Sequence, residues 1–208
     1  SALFLHWSEI SPHAMQTLLE IIIGLCISIV LGVIIAIFID SFAWSRKAVY
    51  PLLVTSQTIP LIALAPLLLL WFGFDITPKV IMVVLYCFFP IAIATAGGFS
   101  HIDEKLVQLL RSMGASPLQI LRFVRIPGAM PSFFAGLKIA VTYSVAGAIV
   151  GEYVGAYLGL GCYMQLMSHS YATVLVFAAI LVTISLSLVL FMFVIFFERI
   201  FVPWYKDI

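Results

Sequence analysis

The sequence predicts an all-α membrane protein with five transmembrane helices in this chain. Three observations carry that prediction. First, 64% of the 208 residues are hydrophobic and 9% are charged, whereas about a quarter of a soluble domain is charged. Too little polar surface remains to coat a globule in water. Second, the apolar residues gather into five runs long enough to cross a bilayer at 1.5 Å per residue. Third, the basic residues are placed asymmetrically. Loop 40–50, the island 101–131 and the tail hold Arg46, Lys47, Lys105, Arg111, Arg122, Arg125, Arg199 and Lys206, and the opposite side holds Lys79 alone. Lys138 lies two turns into the fourth run, close enough to the basic side to snorkel. The positive-inside rule puts that side in the cytoplasm. A net charge of +1 adds nothing about partners.

Residues 1–13 read as an interfacial segment around Trp7, with His6 and His13 as surface histidines. The chain opens on Ser1 rather than Met. An upstream piece is expected, and a sixth span in it would return the N-terminus to the cytoplasm. Residues 14–39 form the first span. Its Gly24, Ser28 and Gly32 recur every four residues and let another helix approach closely, as an internal packing seam rather than a dimer motif. Residues 40–50 read as a polar turn. Residues 51–72 form the second span, interrupted by Pro51, Pro60 and Pro66 and by the polar run Thr55, Ser56, Gln57, Thr58. A broken, polar helix is tolerated in a membrane only against protein or a water-filled path. It therefore lines a translocation route, or it is a packing kink with internally bonded hydroxyls. Residues 73–78 are a turn, and 79–99 form the third span, with Pro90 inside. Residues 129–151 form the fourth span, rich in small residues. Residues 152–172 are too polar for lipid and read as a loop plus a short interfacial helix. Residues 173–197 form the last span, and the whole reads as one domain over 1–208.

The polar island 101–131 stands apart in this apolar chain. Asp103 and Glu104 open a helix at the positive end of its dipole. Leu106, Leu109, Leu110 and Met113 then fall on one face. Gly114 is where such a helix stops. Ser116 and Pro117 start a second helix running to about Ile126, and Pro127 and Pro131 punctuate the approach to span four. The residues alone allow two readings: a handle for a partner protein, or an amphipathic hairpin with its basic side chains on lipid phosphates.

No catalytic constellation stands out, and no GxxxxGK[ST] loop occurs, so the chain is not expected to hydrolyse ATP. Cys26, Cys87 and Cys162 have no metal-ligand spacing and read as packing residues. No metal, nucleic acid or resident cofactor is expected. Gln57, Thr58, Thr142, Tyr143 and Ser144 are the candidates for lining a path, offering hydrogen bonds and an aromatic face to a small polar or heteroaromatic solute. Ser185 and Ser187 are weaker, since serine back-bonds within membrane helices. Glu152 either gates the outer mouth or holds the loop after span four, and the structural role is preferred. A self-contained secondary transporter or channel is the competing class. Such carriers bury acidic residues or His in mid-span and often carry internal repeats; spans two to five have no such residue clearly there, and no internal repeat is evident.

The run Gly114-Ala115-Ser116-Pro117-Leu118-Gln119-Ile120, followed by Ile126-Pro127-Gly128-Ala129-Met130-Pro131, resembles the EAA loop of ABC-importer permeases. The Gly and the hydrophobic-Pro pair stand at that loop's spacing. Its acidic-Ala-Ala triplet does not match, since Gln108-Leu109-Leu110 holds that place. The chain is therefore similar to the branch importing sulfonates, taurine, nitrate and thiamine-precursor pyrimidines. Gly136-Leu137-Lys138-Ile139-Ala140, Gly151-Glu152, Gly159-Leu160-Gly161, Glu198-Arg199 and Pro203-Trp204 also resemble that branch, and its pyrimidine-precursor members in particular. The resemblance implies a type I importer fold and a coupling surface at Gln108, Leu109, Leu110, Arg111, Met113, Gly114, Ala115 and Ser116. It implies an ATPase dimer carrying ATP and magnesium, a second permease copy, and an extracytoplasmic binding protein delivering solute.

Overall fold

The computed structural model describes residues 6–204; residues 1–5 and 205–208, with Lys206, lie outside the described part. Among the described residues the elements are helical. They are α1 (Trp7–Ser41), α2 (Ala43–Ser56), a 3-10 turn (Leu61–Leu64), α3 (Ala65–Phe72), α4 (Ile76–Ser100), α5 (Glu104–Ser112), α6 (Pro117–Ile120), α7 (Ile126–Gly155), α8 (Leu160–His169) and α9 (Thr173–Phe201). α1, α4, the continuous rod 117–155 and α9 are each long and apolar enough to cross a membrane, and the bent pair α2–α3 makes a fifth span. The predicted count holds.

Three boundaries differ from the sequence reading. Residues 7–13 belong to α1 and are not a separate interfacial segment. The chain reverses at Phe42, whose backbone is extended, and the expected 40–50 turn is mostly helix α2. Ser45 supports this early start: its buried hydroxyl donates its one hydrogen among the carbonyls of Phe42 at 2.6 Å and of Phe38 and Ile39 at 3.0 and 3.1 Å, at the end of α1. Pro127 and Pro131 do not separate the island from span four. Both prolines lie within the helix, and a five-residue π turn (Leu121–Arg125) carries the axis past Pro127. A wider turn accommodates the i−4 carbonyl that a proline cannot bond.

The core is a three-helix seam of α1, α4 and α7. Gly24, Ser28 and Gly32 of α1 lie against α4, where Cβ atoms added at the two glycines would fall 2.5 Å from Val83 and 2.8 Å from Ile91. The stripe is thus an internal seam, as expected. The small residues of α7 serve the same purpose on the other side of α4. The carbonyl of Ala140 accepts the Cys87 Sγ hydrogen at 3.3 Å. α2, α3 and α9 pack at the periphery; of α9 only Ala178, Ala179 and Val194 are buried.

Two ion pairs join elements far apart in sequence. Arg125, in the π turn, pairs with Asp40 at the end of α1. Lys138 Nζ lies 2.9 Å from Glu198 Oε2 of α9, so Lys138 is held across helices rather than snorkelling to the membrane surface. Removing one partner of a partly buried pair strands the other charge. Glu198→Ala is therefore expected to lower the thermal midpoint in detergent more than the Lys138→Ala/Glu198→Ala double variant does.

Candidate functional site

The helix–turn–helix of the polar island is built by local capping. Asp103 caps α5, accepting the Lys105 N–H at 2.9 Å. The helix ends in a Schellman motif: Ala115 N–H donates to Leu110 O, Gly114 N–H donates to Arg111 O, and Gly114 sits at φ +83°. That conformation favours glycine. A Cβ at Gly114 would meet no neighbour, so Gly114→Ala is expected to cost about 1 kcal/mol of backbone strain without a clash. This would be read as a small drop in thermal midpoint. Ser116 then forms a capping box, bonding the Gln119 N–H at 3.3 Å while Gln119 Oε1 accepts the Ser116 N–H at 2.8 Å. The S-x-x-Q spacing 116–119 is the sequence signature of that box.

The apolar face of α5 points away from its own chain. Leu106, Leu109 and Met113 are 45%, 57% and 74% exposed, and the helix is anchored instead by buried Val107. Leu118 and Phe123 extend the same exposed apolar character beyond the turn. The candidate coupling residues Gln108, Leu109, Arg111, Met113, Gly114 and Ser116 are exposed, and Leu110 and Ala115 are half-buried.

At the opposite end of α7 sits a buried polar cluster. Glu152 is 1% exposed. Its Oε1 accepts the Thr17 hydroxyl at 2.6 Å and its Oε2 accepts the Gly161 N–H at 2.5 Å. Thr17 Oγ1 in turn accepts the Leu160 N–H at 2.8 Å. His13 Nδ1 lies 3.0 Å from both the N–H and the carbonyl oxygen of Gly159. Gly159 has φ +133°, and a Cβ there would run into the Glu152 carboxylate. The loop 156–159 is thereby pinned onto α1. Glu20, also 1% exposed, lies beside Glu152 and Lys79, and its Oε1 accepts a hydrogen bond from Gln16 Nε2 at 2.9 Å. Lys79 of α4 is 3% exposed and donates to the carbonyls of Phe74 and Asp75. Sequence reasoning missed the Glu20 and Lys79 parts of the cluster; a Glu inside an apolar run was the available signal.

The candidate path residues are not gathered into one site. Ser144 is fully buried, its hydroxyl donating to Val141 O at 2.7 Å; it lines no surface of this chain. Glu152 is likewise enclosed. Thr58 and Thr142 are exposed, yet their hydroxyls bond back to Thr55 O and Lys138 O. Thr55 and Ser56 do the same. The hydroxyls of the second span are therefore internally satisfied, and the span bends by 80° between its halves. Gln57 and Tyr143 are exposed.

Residues 28–207 match the family described as binding-protein-dependent transport system inner membrane component. The chain is 42% identical over 194 residues to the formylaminopyrimidine transport permease protein ThiX of Halalkalibacterium halodurans, covering 93% of this chain and 78% of that one. It is 27% identical over 196 residues to the taurine transport system permease protein TauC of Escherichia coli, covering 94% and 71%. A chain of the inward-facing MetNI methionine ABC transporter superposes with a TM-score of 0.72 at 20% identity, covering 92% of this chain and 94% of that one. The last likeness shows the fold, that of a type I importer permease. With five apolar spans, a capped cytoplasmic handle and these relatives, this multi-pass inner-membrane chain belongs to the family of binding-protein-dependent transport system inner membrane components, the ABC-transporter permeases.

Proposed function

We propose that this chain is the membrane-spanning half of an ATP-driven importer for a small polar solute, a thiamine-precursor pyrimidine, and that it works as one of two copies. A separate ATPase dimer binds ATP and magnesium and grips α5. An extracytoplasmic binding protein delivers the solute. One observation carries this reading: a rigidly capped helix whose leucine and methionine face is exposed on the cytoplasmic side, where no described segment of its own chain covers it. A short helix with an apolar stripe is what a partner groove holds, and the turn at Gly114 joins it to the rod 117–155 that becomes span four. Closing of the ATPase dimer moves α5, and the rod 117–155 carries that motion across the membrane. The choice of solute is supported by the name of the ThiX relative; a sulfonate of the kind named for TauC is the competing solute.

The test is co-purification. The wild-type permease is expected to retain an ATPase subunit through detergent extraction. Leu109→Arg, which places a charge in the middle of the exposed stripe, is expected to lose both that subunit and solute uptake while remaining in the membrane. Intact assembly and uptake in Leu109→Arg would remove the coupling role of α5.

A further inference from the structure

A groove of about 560 Å³ opens where the outer end of α7 meets α8 and the first half of α9. Its walls are apolar, from Ile149, Met164 and Ile180 among others. Tyr153, Gln165, Ser168 and His169 also line it, and none of the four side chains hydrogen-bonds to another described residue. Thr17, Glu152 and His13, nearby, are differently placed: they spend their bonds on one another and on loop backbone.

Residues 152–172, which supply most of these polar side chains, are too polar to face acyl chains, so the groove faces water or protein. It is continuous with the uncovered face of the central helix. Ile139, Tyr143, Ala146 and Tyr153 recur along one side of α7 and are exposed, while Gly136, Ala140 and Gly151 on the other side are buried. The volume lies within the range of small-molecule sites, which combine apolar walls with a few polar groups.

The lining chooses between solute classes. No Lys or Arg borders the groove, and His169 is the one lining side chain able to carry positive charge, so an anionic sulfonate would be desolvated there without a permanent counter-charge. Gln165 offers one acceptor and one donor side by side. An aminopyrimidine edge presents the complementary pair, an amino donor beside a ring-nitrogen acceptor, as the adenine edge does to a glutamine. Tyr153 adds an aromatic face. Resting on the importer reading above, we propose that this groove is the extracytoplasmic solute site of the permease and that it takes an uncharged, planar aminopyrimidine-type ring in preference to a sulfonate.

The experiment uses the whole transporter, with its ATPase and binding protein, in proteoliposomes with formylaminopyrimidine and taurine as the two probes. Gln165→Leu is expected to keep the ATPase bound and to raise the KM for formylaminopyrimidine about tenfold or more. Tyr153→Phe, a milder change at an exposed position, is expected to raise it less, and Ile180→Trp, which fills the groove, to block uptake. Wild-type KM in all three variants, with Leu109→Arg still uncoupled, would overturn the groove and leave the importer reading standing. Accumulation of taurine but not the pyrimidine would overturn the solute class. Dissociation of the two permease copies by Gln165→Leu or Ile180→Trp would show an interface between copies instead, and would also overturn the site.

Discussion

Gly136→Leu is expected to abolish accumulation of folded permease in the membrane. A Cβ at position 136 would sit 2.6 Å from the Ala94 Cβ and 2.7 Å from the Pro90 carbonyl oxygen, against an ordinary carbon contact of about 3.5–4.0 Å. A flexible side chain could swing away from such a contact, but the second obstacle is backbone in the middle of α4. The helices must separate, and α4 against α7 is the seam on which the rest of the bundle is hung. Overpacking by one methyl costs typically about 1–3 kcal/mol, and a leucine adds three more carbons. The neighbouring glycines Gly97 and Gly98 supply the internal control. Gly98→Ala would bring its Cβ to 2.7 Å from Ser132 Cβ, whereas Gly97→Ala would meet nothing within 4 Å. Gly97→Ala is therefore expected to be neutral or to stabilise by up to about 1 kcal/mol through helix propensity, and Gly98→Ala to destabilise. The measurement is the fraction remaining monodisperse on size-exclusion chromatography after heating in detergent. Equal midpoints for the two adjacent alanine variants would show that the seam is looser than the geometry requires.

These contrasts mark where the sequence was legible and where it was not. Hydropathy located the five spans because lipid imposes a length on each, and that length is a local property. Capping is local too. Gly114, Ser116 and Pro117 were readable at the residue level because a helix end must satisfy its own carbonyls and amides within a few positions. The boundary at 40–50 failed for a related reason. Polar residues suggested a turn, yet Ser45 uses its hydroxyl to close α1 while already inside α2. Pro127 misled because a proline forbids one bond, not a helix, and a π turn absorbed it. The longest-range features left no local trace. Arg125 finds Asp40 across 85 residues, and Thr17 finds Glu152 across 135; neither pairing follows from periodicity. Of the path candidates, hydroxyl-bearing residues were the least readable, since a serine or threonine in a membrane helix can serve the lumen or its own backbone with the same side chain.

Glu152→Ala is expected to separate ATPase docking from transport. The substitution removes the acceptor for two enclosed donors, the Thr17 hydroxyl and the Gly161 N–H. The Thr17 hydroxyl retains the His13 carbonyl oxygen at 3.1 Å, but the Gly161 N–H is left without a partner, which costs about 1–3 kcal/mol, concentrated in loop 156–159 and the start of α8. α5 lies beyond the other end of the 39-residue rod Pro117–Gly155, and Glu152 is about 52 Å from that end at 1.5 Å per residue. Docking at α5 should therefore survive. What is lost is the fixed connection between the outer end of that rod and α1, so motion delivered by α5 no longer moves the outer loop with it. Glu152→Gln keeps one acceptor oxygen and turns an NH2 toward the other donor, so it should be milder. Thr17→Val is expected to act in the same direction as Glu152→Ala, because it strips the Leu160 N–H of its acceptor and Glu152 of its hydroxyl donor. Amide hydrogen exchange at residues 156–161, measured alongside co-purification and uptake, checks the argument. Faster exchange and lost uptake with the ATPase still bound is the expected pattern, and unchanged exchange in Glu152→Ala would show that the carboxylate does not hold this loop.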